Sequence, residues 1–349
     1  MERFLKRRGI AAGCVAGLAL LTFLAGCDPS FKLSDLKNGD SESSRPGDQQ
    51  PQVNVNYTQY SNSPNGNSPP PQLIMGSFNI QYFGETKMSR PQVVNILVDI
   101  VRRFDIIAIQ ELRGDDSIMY EFLNQLNADG SQFRATVSEP QGYYVNGRLS
   151  NYREKAAYIY DASKLELVRS SYIAPNPNSA MQRAPFIGHF RCTNYPPEVA
   201  FSFVMANVHT TPDPAITLKT ELEAFRDVIG FVYRNHAGED DVIVLGDFNE
   251  EPDRFNQLGW MQTQFAAIPS SWKTNLVQTE CYDNLIFDAN HTSEFTGQAG
   301  VFNFQNEYGL TQEQAKLVSD HFPVWALFSS KEQFNQAMMT QNPSSQFLR

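Results

Sequence analysis

The sequence predicts a layered α/β domain, and three observations support this fold class. Apolar runs rich in β-branched residues alternate with amphipathic stretches of helical period along most of the chain. The chain has 349 residues, of which 41% are hydrophobic and 12% aromatic, so it can bury a sizeable core. Polar residues suited to catalysis stand just after several apolar runs. Because strand ends meet at one rim of a sheet, we expect these residues to lie together.

The individual elements follow from the period of the apolar residues. Alternating or continuous apolar runs predict strands at residues 73–80, 105–110, 155–160, 185–190, 200–208, 242–245, 282–287 and 323–328. The second of these contains Ile106, Ile107 and Ile109, as expected of a buried strand. Helical spacing predicts helices at 91–104, 120–126 and 215–233. No internal repeat of fixed period occurs, so a solenoid is not expected.

The N-terminal segment has the features of an export signal. Four basic residues precede an apolar run of roughly 16 residues, which is short for a membrane span. The segment ends in Leu24-Ala25-Gly26-Cys27, which resembles the lipobox of bacterial lipoproteins and implies cleavage before a lipidated Cys27. An ordinary signal peptide or an uncleaved anchor is the alternative. We expect an exported protein, lipid-anchored in a bacterial cell envelope and facing the periplasm or the cell surface.

The rest of the chain divides by composition. Residues 27–72 are rich in Ser, Asn, Pro, Gly and Gln and are predicted to form a disordered tether. Residues 73–328 form the predicted catalytic domain, and residues 329–349 a polar tail. The net charge is −10 and becomes more negative once the basic signal is removed. This balance argues against a high-affinity DNA binder, and any binding of nucleic acid would need a local basic, metal-bearing cleft.

Two cysteines belong to the predicted folded domain, Cys192 and Cys281. An oxidising compartment allows a disulfide between them. The sequence does not show whether their Cα atoms approach closely enough, so the bond is left open.

Four oxygen-bearing residues predict a metal site. Glu111 and Asp320 are hard donors suited to Mg²⁺ or Ca²⁺, and Asn79 and Asp247 offer further oxygen ligands or support for the ligands. The sequence has no cluster of cysteine and histidine residues of the kind that binds zinc. Such a metal would neutralise a phosphate during hydrolysis.

Two histidines, His209 and His321, stand at the ends of apolar runs and are candidates for general acid and general base. A histidine that transfers protons needs a carboxylate to fix its tautomer, and Glu154 and Asp283 are the candidate partners. Which histidine is the base is left open.

The order of these motifs resembles the endonuclease/exonuclease/phosphatase superfamily, in particular its deoxyribonuclease I-like members, from about residue 73 to residue 328. The motifs that carry the resemblance are Ser77-Phe78-Asn79-Ile80, Ile109-Gln110-Glu111-Leu112-Arg113, Tyr152-Arg153-Glu154, Arg183-Ala184-Pro185-Phe186-Ile187, Val208-His209, Gly246-Asp247-Phe248-Asn249, Tyr282-Asp283 and Ser319-Asp320-His321. The resemblance implies a four-layer α/β/β/α sandwich of two mixed sheets.

The resemblance also implies roles for the residues. Glu111 would bind the metal, with Asn79, Asp247 and Asp320 around it, while Asn249 would contact the scissile phosphate.

Three further residues would contact DNA, again by resemblance. Arg113 and Tyr152 fall where members of the group enter the minor groove, and Arg183 matches a residue that contacts phosphate. The segments 172–182 and 270–278 lack the acidic residues that build structural calcium sites in the animal enzymes of the group.

The resulting prediction is a monomeric, divalent-metal-dependent DNA endonuclease, weakly sequence-selective, that leaves 5′-phosphate ends. Mg²⁺ is the expected cofactor, with Mn²⁺ or Ca²⁺ as alternatives, and no protein partner is expected. A phosphodiesterase of the same fold acting on lipid headgroups such as sphingomyelin is the alternative. A catalytically inactive binding module is a third reading, which the complete set of histidines and carboxylates opposes.

Overall fold

A computed structural model describes residues 71–333, apart from residues 143, 146–147, 150–152 and 214–215. The predicted signal peptide, Cys27, the tether up to residue 70, Tyr152 and the tail from residue 334 lie outside the described residues. None of the helices within residues 71–333 is long and apolar enough to cross a membrane.

The first sheet has six strands, β1 (Gln72–Phe83), β2 (Ile106–Leu112), β3 (Phe133–Val137), β6 (Lys155–Asp161), β13 (Phe295–Val301) and β14 (Val324–Ser329). Their order is β13-β14-β1-β2-β6-β3, and only β1 and β2 pair in parallel. A separate two-stranded ribbon consists of β4 (Tyr144–Val145) and β5 (Arg148–Leu149).

The second sheet also has six strands, β7 (Leu165–Ile173), β8 (Phe186–Cys192), β9 (Ser202–His209), β10 (Val242–Asp247), β11 (Phe265–Ala266) and β12 (Asp283–Phe287). Their order is β11-β12-β10-β9-β8-β7, and the central pair β9 and β10 is parallel. Both sheets are therefore mixed.

Helices cover the outer faces of the two sheets. The α-helices are α1 (Glu85–Met88), α2 (Pro91–Val101), α3 (Ser117–Leu126), α4 (Leu222–Asn235), α5 (Phe304–Glu307) and α6 (Gln312–Val318). Helices α2, α3 and α6 pack on the first sheet, and α4 packs on the second. The predicted four-layer α/β/β/α sandwich is confirmed.

Alternation along each strand separates the core into layers. On β1, Ile74 and Phe78 pack under the helices, whereas Leu73 and Met75 pack between the sheets. This is the two-residue period of a strand whose faces are both buried. Each fully buried side chain of this size contributes about 1.5–3 kcal/mol of transfer free energy.

Several strands of the structure were not predicted, and one predicted helix boundary differs from the structure. Six strands were not predicted from the sequence: β3, β7, β11 and β13 at sheet edges, and β4 and β5 in the separate ribbon. The outer faces of β3, β7 and β13 are polar or exposed, so no apolar run marks them. Strands β4, β5 and β11 are only two residues long. The helix predicted at 91–104 ends at Val101, where a turn leads into β2.

The helix predicted at 215–233 begins as a π-helical turn, Thr217–Glu221, before α4. The buried carboxylate of Glu221 accepts hydrogen bonds from the backbone N–H groups of Gln182 and Thr211. The turn therefore holds this carboxylate against the neighbouring loops.

The disulfide left open by the sequence does not form. Cys192 and Cys281 are both free and buried. Burial raises the pKa of the Cys192 thiol to about 12, so the side chain acts as a small apolar residue.

Candidate active site

Three predicted site residues lie in one row across the second sheet. Asp247 at the end of β10 pairs in register with His209 at the end of β9 on one side and with Asp283 at the start of β12 on the other. The three positions thus come from strands that are distant in sequence but adjacent in the sheet. The strand-end pattern predicted this convergence for His209 and Asp247.

Gly246 makes the close approach of β9 and β10 possible. Its φ is +149°, and a Cβ atom at this position would lie 1.9 Å from the carbonyl oxygen of Val208. Any side chain would therefore push the strands apart at the point where Asp247 meets His209.

Each histidine is held by a buried carboxylate. His209 Nδ1 lies 2.5 Å from Glu154 Oε1, and His321 Nδ1 lies 2.8 Å from Asp283 Oδ2. Glu154 is 4% exposed and Asp283 is fully buried. In both pairs the Nδ1 side faces the carboxylate, so Nε2 is the ring nitrogen directed at the cleft.

Asp247 lies between the two histidines. Its Oδ2 atom is 3.6 Å from His209 Nε2 and 3.6 Å from His321 Nε2. The Nε2 atoms of the two histidines are therefore no farther apart than twice that distance. They face a cleft of about 290 Å³ that is lined by Asn79, Glu111, Gln182, Arg183, His209, Pro212, Asp247, Asn249 and His321.

The charges in this group support one another. Burial alone would lower the pKa of His321, but the carboxylates of Asp283 and Asp247 outweigh it and raise the pKa to about 10. Burial opposes ionisation of Asp247, yet the two histidines hold the pKa of its carboxyl below the ordinary value. Burial likewise opposes ionisation of Glu154, and His209 and Arg183 lower its pKa.

The first sheet contributes oxygen-bearing side chains to the same cleft. Asn79 Nδ2 donates to Asp247 Oδ2 at 3.0 Å and to Glu111 Oε1 at 3.3 Å. Glu111 has a φ of +60°, a left-handed conformation that non-glycine residues rarely adopt. Its other oxygen accepts the backbone N–H of Tyr82 at 3.1 Å, which holds the carboxylate toward the cleft.

The donor set fits a divalent metal. The Oδ1 atom of Asn79 is buried and has no hydrogen-bond partner within residues 71–333, and it lies beside the carboxylates of Glu111 and Asp247. A second possible ligand group is Asp247, Asp283 and His321, whose ligand atoms all lie within 4.8 Å of one another. Carboxylate and amide oxygens are the ligands that Mg²⁺, Mn²⁺ and Ca²⁺ prefer.

Asp320 and Asn249 occupy the rim of the cleft. The side chain of Asp320 is 40% exposed, accepts a hydrogen bond from Gln81, and lies 4.0 Å from His321 Nε2. Asn249 has a φ of +45°, and its Nδ2 donates to the carbonyl of Thr210 at 3.1 Å. The metal role of Asp320 and the phosphate contact of Asn249 stay predictions.

The predicted DNA-contacting residues have different positions. Arg183 is buried and spans Glu154 Oε1 at 3.3 Å and the carbonyls of His209 and Thr210, each at 2.7 Å. These contacts position the His209 pair, and a contact of Arg183 with phosphate stays a prediction. Arg113 lies 3.6 Å from Glu111, at the edge of the site, while Tyr152 lies outside the described residues.

Two residues near the site were not predicted from the sequence. Tyr82 is 52% exposed, and the guanidinium of Arg113 lies 4.0 Å from the centre of its ring. Its only sequence signal was an aromatic residue just after the strand predicted at 73–80. Lys87 is buried and donates to the carbonyl of Val318 at 2.6 Å; burial lowers its pKa to about 7 against the pull of Asp320 and Glu111. Nothing in the sequence distinguished this lysine from a surface one.

Comparison with known proteins identifies the family. The model of the endonuclease/exonuclease/phosphatase family matches residues 76–298. The chain belongs to this family. It is 32% identical to human deoxyribonuclease-1 over 72% of this chain and 90% of the relative. It is 33% identical to pig deoxyribonuclease-1-like 1, covering 71% of this chain and 78% of the relative.

A third relative, mouse deoxyribonuclease-1-like 2, is 29% identical over 74% of this chain and 92% of the relative. Within the family, the chain is therefore deoxyribonuclease I-like. They support a hydrolase of the nuclease or phosphodiesterase type that uses a divalent metal.

Solved structures agree on the fold. A conserved protein of unknown function from Enterococcus faecalis V583 superimposes with a TM-score of 0.50 at 15% identity, covering 73% of this chain and 98% of that one. A family member from Leptotrichia buccalis gives the same TM-score, identity and coverage.

Proposed function

We propose that the protein is a divalent-metal-dependent DNA endonuclease that cuts with weak sequence selectivity and leaves 5′-phosphate ends. The observation that carries the proposal is the placement of two carboxylate-held histidines on either side of Asp247, in the cleft that also contains Asn79 and Glu111. The similarity to three proteins named as deoxyribonucleases supports DNA as the substrate.

The reaction assigns a proton to each histidine. A water molecule attacks phosphorus and loses its proton to one imidazole Nε2, while the bond from phosphorus to the 3′ oxygen breaks. The other imidazole Nε2 gives its proton to that oxygen, so the products are a 5′-phosphate and a 3′-hydroxyl. His209 and His321 lie at equal distances from Asp247, so the geometry supports either assignment.

A metal would be held by Asn79, Glu111 and Asp247, with Asp320 as the further predicted ligand. Bound Mg²⁺, for which Mn²⁺ or Ca²⁺ is the alternative, would supply charge neutralisation of the phosphate. The protein's own contribution is orientation. Hydrogen bonds from Asn79 and from the backbone of Tyr82 hold the two carboxylates in place before the substrate arrives.

The pair of Tyr82 and Arg113 supports DNA over a lipid headgroup. An exposed ring and a guanidinium stacked on it, next to Glu111, form a surface on which a sugar or base can pack. An arginine that enters the minor groove responds to groove width and potential rather than to base identity. Weak sequence selectivity follows.

We further propose export and a lipid anchor on Cys27, facing the periplasm or the cell surface, with the protein acting as a monomer. The support is the N-terminal sequence: its basic start, its short apolar run and the resemblance of residues 24–27 to a lipobox. Metabolic labelling with a radioactive fatty acid tests the anchor. Label on the wild-type chain and none on Cys27→Ser is expected, and equal labelling of both contradicts it.

A plasmid-nicking assay tests the activity. The purified full-length chain is expected to convert supercoiled DNA to nicked circles with Mg²⁺ or Mn²⁺ and to stop when a chelator is added. Asp247→Asn is expected to abolish nicking, whereas Asp227→Asn, an exposed carboxylate on α4, is its matched control and is expected to keep full activity. Intact supercoiled DNA with either metal contradicts the proposal.

Two variants separate DNA from lipid as substrate. Arg113→Ala and Tyr82→Ala are each expected to weaken DNA cleavage by about 5- to 150-fold, since stacking of a base contributes about 1–3 kcal/mol. Hydrolysis of sphingomyelin in vesicles is expected to be absent in all chains. Lipid hydrolysis that survives both substitutions would favour the lipid-headgroup phosphodiesterase instead.

A further inference from the structure

We propose that Asp241, Glu294 and Glu332 hold a hard divalent cation of the Ca²⁺ type, at the end of the second sheet opposite the cleft. Asp241 immediately precedes β10, and Asp247 ends that strand. The two acidic centres are thus separated by the length of one strand. The proposal does not depend on the reaction catalysed in the cleft.

The spacing of the three carboxylates suits one ion. One oxygen from each of Asp241, Glu294 and Glu332 lies within 4.8 Å of the others. Calcium binds oxygen ligands at about 2.3–2.6 Å, and a single ion near the centre of the three oxygens would lie close to that distance from each. The group contains no nitrogen or sulfur ligand, which favours a hard cation over zinc.

Unpartnered buried oxygens point to a missing ligand. Asp241 and Glu294 are each 2% exposed, and Asp241 Oδ1 and Glu294 Oε2 have no hydrogen-bond partner within the described part of the chain. The hydroxyl of the buried Thr292 interacts with Asp241, yet it too lacks a hydrogen bond of normal geometry. Buried polar atoms are nearly always satisfied, so three such atoms in one neighbourhood are unusual.

One carboxylate oxygen of each glutamate is fixed by the backbone. Glu294 Oε1 accepts the N–H of Gln333, and Glu332 Oε1 accepts the N–H of Ser202 at 3.0 Å. These bonds hold the side chains in place and leave the remaining oxygens directed at one another. The arrangement is therefore built by the fold and does not arise from loose surface side chains.

The charge of the group is not balanced by the protein. Among residues 71–333, no lysine, arginine or histidine forms an ion pair with any of these three carboxylates. A divalent cation would supply the compensating charge.

The cation would join segments that are distant in sequence. Asp241 leads into β10, Glu294 precedes β13, and Glu332 follows β14. Glu332 also donates its backbone N–H to the carbonyl of Val199 at 3.1 Å. A cation here would fasten the segment after β14 to the second sheet and stabilise the fold.

Calcium titration of the full-length chain, stripped with a chelator, tests the site. Calorimetry is expected to count one more Ca²⁺ per chain in the wild type than in Asp241→Asn or Glu294→Gln. At a Ca²⁺ concentration about 100 times the Kd, Ca²⁺ should lower the unfolding equilibrium constant of the wild type about 100-fold. The same addition should leave the unfolding equilibrium constants of the two variants nearly unchanged. Glu198→Gln, an exposed glutamate, is the control and should behave as the wild type.

The loss of one bound Ca²⁺ in a variant can be distinguished from unfolding of that variant. Both substitutions remove a buried, unpaired carboxylate, so in chelator the variants should be at least as stable as the wild type, as circular dichroism melting would show. In addition, Asp247→Asn disables the cleft and leaves the distant cluster intact, so it should still bind Ca²⁺. Equal Ca²⁺ stoichiometry in the wild type, Asp241→Asn and Glu294→Gln, or no Ca²⁺ bound by Asp247→Asn, overturns the proposal.

Discussion

The two ends of strand β10 each bury an aspartate, and the two carboxylates have opposite electrostatic surroundings. Asp247 is 1% exposed and Asp241 is 2% exposed. Burial disfavours ionisation at both, but His321 and His209 lower the pKa of Asp247, while further carboxylates help to raise the pKa of Asp241 to about 10. The same residue type at the same depth thus favours opposite charge states.

Histidines near the two ends show the same contrast. At the cleft, burial is outweighed by Asp283 and Asp247, which raise the pKa of His321 to about 10. Near Asp241, burial, His189 and Arg169 lower the pKa of His236 to about 4. Charged forms are favoured at one end of the sheet and neutral forms at the other.

Burial pushes each of these groups toward its neutral form, and the state of each group depends on whether opposite charges nearby outweigh that effect. At the cleft, carboxylates and histidines alternate in space, so each buried charge is stabilised by a neighbour of opposite charge. At the opposite end, acids meet acids, which costs stability unless a cation is bound.

The largest expected effect is at the charged end. His209→Ala and His321→Ala should each lower kcat/KM for plasmid nicking by about 10²- to 10⁴-fold, because each removes one proton-transfer group. His291→Ala is the matched control, since His291 lies 3.4 Å from Asp288 in a partly exposed acid–histidine pair of its own. Loss of less than about tenfold in both cleft variants would remove the histidines from the chemistry.

The contrast also explains which features the sequence reveals. His209 and Asp247 are predictable because each follows an apolar run and the ends of neighbouring parallel strands meet at one edge, while the antiparallel register of β12 brings its first residue, Asp283, beside Asp247. The family motifs then place Asn79 and Glu111 on the facing sheet, as the contact of Asn79 with Asp247 shows.

The acidic cluster had no such signal. Glu294 and Glu332 lie in irregular segments next to edge strand β13 and after β14, and their approach to Asp241 depends on how the two sheets stack. The edge strands β3, β7 and β13 were missed for a related reason, because half of each strand faces solvent and carries polar residues. Sequence patterns report burial along one segment and not the contacts between distant segments.

A smaller effect is expected from the carboxylates that hold the histidines. Glu154→Gln and Asp283→Asn should lower the nicking rate by about 10- to 100-fold, as outer partners of functional histidines commonly do. These are positioning residues, so the readout that matters is the pH profile. In Asp283→Asn, burial of His321 is no longer opposed by that charge, and the pKa of His321 should fall from about 10.

The limb of the pH–rate profile governed by His321 should then move to lower pH in Asp283→Asn and stay in place in Glu154→Gln. The two variants are matched controls for each other, since each removes one carboxylate charge next to one histidine. An identical shift in both variants would show a general loss of structure in the cleft.

The smallest effect is expected at the neutral end, in the pH dependence of stability. His236 is buried, and it faces Tyr172, whose hydroxyl is 3.0 Å from its Nε2, and His189, whose Nδ1 is 3.3 Å from its own Nδ1. Arg169 also acts on it, and Glu239 lies behind His189 at 3.3 Å. None of these contacts favours a second positive charge at His236.

Because burial, His189 and Arg169 hold the folded-state pKa of His236 at about 4, below the ordinary 6.5, the unfolded chain binds a proton first on acidification. The contribution of neutral His236 to stability is therefore present above about pH 6.5 and is lost as pH falls toward 4. Urea unfolding at neutral and mildly acidic pH should show a steeper loss in the wild type than in His236→Gln, with His291→Gln following the wild type. Parallel pH slopes for the wild type and His236→Gln would mean that His236 accepts its proton in the folded state, and the contrast between the two ends of the sheet would then rest on the aspartates alone.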